Sequence, residues 1–294
     1  MPRPVAALRQ WLLPASFLAP ALIVLVAINV VPLFYTVTTS FEDYYLPKVA
    51  SRHFNGLGNY AELLADDRFW GALGRTLLFV TVALAIEVAL GFGVALMLIR
   101  QKRLVGLLRG FILLPIIITP IAVTFVWRLM FSPTLGLLNY FLSFIGLGPL
   151  EWIYSPEQAM PALILVEIWQ HTPELMLIIF TGLLTLPKEV IEAAVVDGAR
   201  ASQIFFAIKL PLLRPILMVG VLFRTIDLFK TFDLFYILTR GGPGVSTETL
   251  AVYTYTVGFS FLRLGYGSAL ALVLFLIILA ASFLIVRWGD VRLG

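Results

Sequence analysis

The sequence predicts an all-α polytopic membrane protein with six transmembrane helices. Three observations carry that prediction. Of 294 residues, 60% are hydrophobic and 13% charged, against about 45–50% and about 25% in soluble domains. Six stretches reach the roughly 20 apolar residues that a bilayer crossing requires, at about 11–37, 72–99, 108–130, 160–184, 211–238 and 267–288. The basic residues then divide unevenly between the connecting segments. Arg3, Arg9, Arg100, Lys102, Arg103, Arg109, Lys188, Arg200, Lys209, Arg214, Arg287 and Arg292 share one side. Lys48, Arg52, Arg68, Arg75, Arg240 and Arg263 fall on the other, diluted by carboxylates such as Glu42, Asp43, Glu62, Asp66, Asp67, Glu151, Glu157 and Glu248. The positive-inside rule therefore puts both termini in the cytoplasm.

The first apolar stretch, from Trp11 to about Val37, is too long for a signal-peptide core of about 7–15 residues, so it reads as a span. Beyond it, Asn55-Gly56-Leu57-Gly58-Asn59-Tyr60 makes a turn into a short amphipathic segment. The second span carries Glu87. The third contains Pro115 and Pro120, tolerable in a membrane helix whose freed backbone groups neighbours can satisfy. A loop over 131–159 with Ser132-Pro133, Gly146, Gly148-Pro149 and Trp152 leads to the fourth span. There Glu167, His171 and Glu174 share a face, with Gln170 beside them and Pro173 expected to kink the helix. The fifth span carries Arg224, Asp227, Lys230 and Asp233 at three-residue intervals, a broad stripe of alternating sign in which adjacent pairs can neutralise one another. Thr239-Arg240-Gly241-Gly242-Pro243-Gly244 comes next as a tight loop with exposed backbone amides, and the sixth span closes the chain.

Ionisable groups inside a membrane face a bundle interior or a cavity. The charges of spans four and five therefore read two ways, as the lining of a mid-membrane path or as an interhelical salt-bridge network. Glu87 is expected to pair with a neighbouring helix. Phe229, Phe232, Tyr236 and Trp169 offer rings beside these charges. Glu167 and His171 alone make a poor metal site, and an interhelical hydrogen bond explains them better. Cys is absent, which removes disulfides and thiolate metal sites. There is no nucleophile–base set, phosphate loop or dinucleotide fingerprint. No catalytic residue and no cofactor are assigned to this chain. Its basic pI, near 9.4, stems from membrane topology and implies no nucleic acid.

A polar insertion separates spans four and five. Pro187 suits a first helical turn, and Glu189 and Glu192 lie near the positive helix end. Ala193 and Ala194 allow close approach of another surface. Asp197-Gly198 breaks the helix, with Asp197 able to cap the next one. A second short helix then runs from Ala199 to Lys209, and Leu210-Pro211 stops it. An interfacial re-entry helix would satisfy the same pattern.

The stretch Glu192-Ala193-Ala194-x3-Gly198-x9-Ile208-x-Leu210-Pro211 resembles the EAA loop of ABC importer permeases at every defining position. The likeness extends to six spans, to Phe54-x-Gly56-Leu57-x-Asn59-Tyr60, and to Leu238-Thr239-x-Gly241-Gly242-Pro243. These features are similar to the carbohydrate-type, MalF-like branch, whose fold is MetI-like. That resemblance implies a single permease domain over 1–294, with a coupling element at 187–210. Glu192 would contact a basic residue of a cytoplasmic ATPase subunit, and Gly198 would form the bend. It also implies a second, MalG-like permease and two ATPase subunits that bind ATP and Mg. A periplasmic or lipid-anchored solute-binding protein would deliver a small carbohydrate, of trehalose, maltose or polyol type, to the outer face of a permease embedded in membrane lipid. Glu167, His171, Arg224, Asp227, Lys230, Asp233 and Tyr236 are the substrate-path candidates, and Thr239, Gly241, Gly242 and Pro243 form the outer loop. The alternatives are glycerol phosphate or another oligosaccharide as solute, or a proton-coupled secondary transporter using Glu167, His171, Asp227 and Asp233 as a relay.

Overall fold

The computed structural model describes residues 16–101 and 105–289. Trp11, Arg3, Arg9, Lys102, Arg103 and Arg292 lie outside them. Contacts group the described residues into two compact units, the first built from 16–66 and 254–273, the second from 67–253 and 274–289.

In the first unit, helix α1 (Ser16–Ser40) is 25 residues long and apolar, and no part of its most apolar window is buried. A two-stranded antiparallel ribbon comes next, β1 (Glu42–Asp43) against β2 (His53–Phe54). Gly56, at φ +58°, turns the chain into α2 (Gly58–Ala65). The buried Asn59 holds this corner, donating to the carbonyls of Ser40 and Glu42 at 2.9 and 2.8 Å. Gly265 packs against the ribbon so closely that a Cβ there would lie 2.1 Å from the Glu42 carbonyl oxygen.

The second unit is a bundle around two long helices, α3 (Asp67–Arg100) and α7 (Pro156–Leu184). The third apolar stretch does not form one straight span. It divides into α4 (Val105–Ile117) and α5 (Pro120–Met130), bent by 91°. Pro120 takes the first turn of α5 and disfavours the helical region for the residue before it, so Thr119 adopts φ −60°, ψ 141°. Two further helices are α6 (Leu137–Ser143) and, after α7, the exposed α8 (Lys188–Val196). Pro161 and Pro173 both lie inside α7, which continues through them as one element.

Beyond α8 comes α9 (Leu210–Lys230), then a break at Thr231–Phe232 and α10 (Asp233–Leu238). After the loop stand α11 (Leu250–Tyr255) and α12 (Leu264–Gly289). By length and composition the described residues hold five helices able to cross a membrane, or six if the bent pair counts as one.

Small residues set the helix spacing, as in other membrane bundles. A Cβ on Gly91 of α3 would lie 3.1 Å from the Met176 backbone nitrogen of α7, and one on Gly182 of α7 would lie 2.9 Å from Leu213 of α9. Two apolar clusters result. One joins Phe79, Trp127, Phe131, Leu163 and Phe235. The other joins Ala95, Leu98, Met176, Phe180, Leu213 and Leu217.

Candidate functional site

The chain positions that separate the two clusters are charged on all three central helices: Glu87 on α3, Glu167 on α7 and Arg224 on α9. All three are buried, at 0%, 2% and 2% exposure. Arg224 clamps Glu87 through a fork, Nε to one carboxylate oxygen at 2.8 Å and a terminal nitrogen to the other at 2.9 Å. It also donates to Glu167. His171 Nδ1 lies 3.1 Å from that same Glu167 oxygen. A buried guanidinium without such partners would carry a desolvation cost of several kcal/mol.

This arrangement corrects two expectations. Arg224 is not neutralised by Asp227 within its own helix but by carboxylates 137 and 57 positions away in sequence. At 100° per residue, a three-residue step turns the next side chain about 60° away from the face that carries Arg224. Asp227 and Lys230 instead pair with each other at 3.5 Å, half-exposed. The His171–Glu167 contact is not interhelical either, because both residues lie one turn apart on α7.

Beside the clamp opens a cavity of about 450 Å³. Glu167, Gln170, His171 and Glu174 line it from α7, and Arg224, Asp227 and Lys230 from α9. Both helix breaks also face it, through Ile116 and Pro120 at one and Thr231, Phe232 and Asp233 at the other. Irregular backbone at membrane depth survives where it lines a cavity or is buried in protein. Gln170 donates to the Ile118 carbonyl freed by the first break, at 3.4 Å. Asp233 opens α10 from its first turn, where a negative charge is favoured. The sequence displays the charges but not the breaks. Thr119-Pro120 is a signal for the first of them, and nothing comparable marks Thr231-Phe232.

The expected rings divide. Phe232 lines the cavity. Tyr236 does not, and stacks on Phe232 with centroids 5.0 Å apart. Phe229 is buried in the core, where Leu-rich neighbours fill the space around it. Trp169 packs its edge on Trp127 at 5.5 Å.

At the other end of α9 stands the polar insertion. Glu192 and Ala193 are exposed, as are Val195 and Val196. Gly198, at φ +77°, ends α8, with Gly198 N–H donating to the Val195 carbonyl at 3.1 Å and Ala199 N–H to the Ala194 carbonyl at 2.9 Å. This paired closure needs a left-handed residue, hence glycine.

The following helix starts later than the sequence suggests. Asp197 closes α8 and caps nothing beyond it. Arg200 is the capping position, its N–H donating to the Gln203 side chain at 2.8 Å. Nor does Leu210-Pro211 stop the chain. Ala201–Gln203 passes into a π-helical stretch, Ile204–Lys209, that runs directly into α9. The wider π turn ahead of Pro211 accommodates a residue with no N–H to donate. Ile191 and Leu210 pack on the cluster of Ala95, Met176 and Leu213, and Phe205 meets Phe92 of α3 edge-on at 5.8 Å.

The 239–244 loop is bonded to itself. Thr239 and Thr247 hydroxyls lie 2.6 Å apart, and Thr247 donates to the Gly242 carbonyl at 2.8 Å. Gly242 N–H donates to the Thr239 carbonyl and Thr247 N–H to that of Gly241, at 2.9 and 3.1 Å. The expected exposed amides of Gly241 and Gly242 are thus taken up within the loop, by the Thr239 hydroxyl and the Thr239 carbonyl, while Thr247 engages the carbonyls. The buried Glu248 carboxylate receives a fork from Arg68 at 2.8 and 2.7 Å, and its carbonyl accepts from Arg75. Among the described residues no group of His and carboxylates is arranged to hold a metal ion.

Comparison with known proteins places this geometry. The model of the family described as binding-protein-dependent transport system inner membrane component matches residues 87–291. The trehalose/maltose transport system permease protein MalF of Thermococcus litoralis is 34% identical over 81% of this chain and 80% of its own length. The sulfoquinovosyl glycerol transport system permease protein SmoG of Agrobacterium fabrum is 36% identical over 90% and 86%. A solved bacterial ABC transporter involved in alginate import shares the fold, with a TM-score of 0.83 and 21% identity over 97% of both chains.

Proposed function

The chain belongs to the family of binding-protein-dependent transport system inner membrane components, and we propose that it carries a sugar-like solute through an ATP-driven importer as one of two permease subunits. The observation that carries this reading is a single helical run. From Ala201 through the π stretch to Lys230 the chain is continuous, about 45 Å at 1.5 Å per residue. One end adjoins the exposed α8 and Gly198. The other end opens on the polar cavity. A push on the first end is delivered to the second.

In this reading the 187–210 element lies in the cytoplasm, as do both termini, and docks on one of two ATPase subunits that bind ATP and Mg. Glu192 presents its carboxylate to a basic residue there, while Ala193, Ala194 and the exposed Val195 and Val196 let the partner surface approach. Asp197, Gly198, Ile208, Leu210 and Pro211 shape the element and join it to α9. A solute-binding protein delivers the solute at the 239–243 loop. The solute then occupies the cavity lined by Glu167, His171, Arg224, Asp227, Lys230 and Asp233, whose volume suits a small molecule.

The relatives named for trehalose, maltose and sulfoquinovosyl glycerol support a carbohydrate. Four carboxylates against Arg224 and Lys230 in the lining favour a neutral polyhydroxy solute over a glycerol phosphate. Family membership sets aside the proton-relay alternative.

The test is uptake of labelled trehalose or maltose by cells carrying Glu192→Lys. The variant is expected to reach the membrane at wild-type level and to lose uptake. Normal uptake would remove Glu192 from the coupling role.

A further inference from the structure

A second cavity, of about 640 Å³, lies at the 239–243 loop. Arg128 of α5 and Arg240 line it together with Tyr154, Thr239 and Pro243, and no carboxylate does. The other arginines of the predicted outer segments are engaged: Arg52 with Glu42, Arg68 with Glu248, Arg75 with the Glu248 carbonyl, Arg263 with Glu62. Neither guanidinium of Arg128 or Arg240 has an ion-pair or hydrogen-bond partner among the described residues. Two unpaired cations on one concave surface focus a positive potential there.

The backbone keeps Arg240 in place at a cost. Its φ is +53°, in the left-handed region that a non-glycine residue enters only when its surroundings hold it there. The loop supplies that hold through the Thr239–Thr247–Gly242 bonds and the buried Glu248. Arg240 is thus presented from a rigid platform.

The sign of the charge inverts over one helical turn. Thr124 of α5 and Leu234 of α10 line the inner cavity, whereas Arg128, Ile237 and Leu238 of the same two helices line the outer one. Four residues of helix span about 6 Å. The inner lining is acid-rich, and the charged residues of the outer one are all basic. A mobile anionic solute would be held outside and repelled within. An anionic group that docks and stays satisfies both fields.

We propose that Arg128 and Arg240 form a socket for an acidic side chain of the solute-binding protein, steering it to the loop and registering it over the path inward. This rests on the importer reading and on the loop facing outward. The test uses the assembled complex in phosphatidylcholine vesicles and titrates the binding protein while ATP hydrolysis is followed.

Arg240→Glu and Arg128→Glu are each expected to raise the half-saturating binding-protein concentration about tenfold and to saturate at the wild-type rate, since rim charges act on encounter more than on the docked state. Arg240→Lys and Arg128→Lys, which keep the charge, stay within about twofold. Raising salt from about 50 to about 500 mM weakens wild-type docking, and the double reversal no longer responds in that direction. Charge-reversed variants that saturate at the wild-type concentration would overturn the socket. So would an effect confined to vesicles containing phosphatidylglycerol, which assigns the site to a lipid headgroup, or one that tracks the charge of the solute. A wild-type complex that binding protein fails to stimulate would overturn the importer reading itself, and the socket with it.

Discussion

Replacing Arg224 with Met isolates the clamp at the centre of the bundle. The guanidinium is 2% exposed and serves two carboxylates that are themselves 0% and 2% exposed. Met keeps most of the side-chain length but leaves Glu87 and Glu167 facing each other without the guanidinium that joins them. Removing one partner of a buried, hydrogen-bonded charge set costs about 3–5 kcal/mol, more than the set contributes relative to apolar residues. At about 2–4 °C per kcal/mol, the melting temperature falls by roughly 6–20 °C. The assay is thermal unfolding of the detergent-solubilised complex, tracked by tryptophan fluorescence. The triple variant Arg224→Met/Glu87→Gln/Glu167→Gln removes the stranded charges and recovers most of the loss. A single Arg224→Met variant melting within about 2 °C of the wild type would refute the reasoning, because a change that small means the carboxylates were never desolvated.

Packing and exposure yield two further expected outcomes. Gly91→Leu forces a side chain into the 3.1 Å space before the Met176 backbone and costs about 1–3 kcal/mol, whereas Gly93→Leu starts from a position where a Cβ meets nothing within 4 Å. Equal melting temperatures for the two would contradict the close α3–α7 approach. Asp227→Asn breaks only a half-exposed pair with Lys230, worth under about 1 kcal/mol. The melting temperature should therefore hold while the uptake KM rises. A large loss of stability would show that Asp227 is buried by something the cavity geometry does not include.

The spans were legible in the sequence because hydropathy alone selects them, and the bend at Gly198 because a left-handed helix end admits little else. The charge clamp was visible only as separate members. Arg224 and Glu87 are 137 positions apart, and an i, i+3 spacing pattern has no access to such a pair, so the stripe invited pairing along its own helix. Proline was an ambiguous guide. Pro120 ends a helix because it sits at the first turn of the next one, while Pro161 and Pro173 lie inside α7 and Pro211 comes after a π stretch that absorbs it. The break at Thr231-Phe232 has no breaker residue at all, and packing of Leu228, Phe229, Leu234 and Phe235 into one cluster decides it instead. The glycines of the 239–244 loop announced a turn, but not that the Thr239 hydroxyl and carbonyl would take up the amides of Gly241 and Gly242, nor that Thr247, five positions beyond Gly242, would bond its carbonyl.

The most direct test of the coupling claim is recovery of partner subunits with the tagged chain in mild detergent, identified by mass spectrometry. The wild type is set beside a Glu192→Lys/Gly198→Pro variant, in which proline cannot adopt the φ of +77° that Gly198 requires. An ATPase and a second permease are expected to accompany the wild type, and the variant to keep the permease and lose the ATPase. Equal recovery of the ATPase with both chains would contradict the coupling role of the 187–210 element.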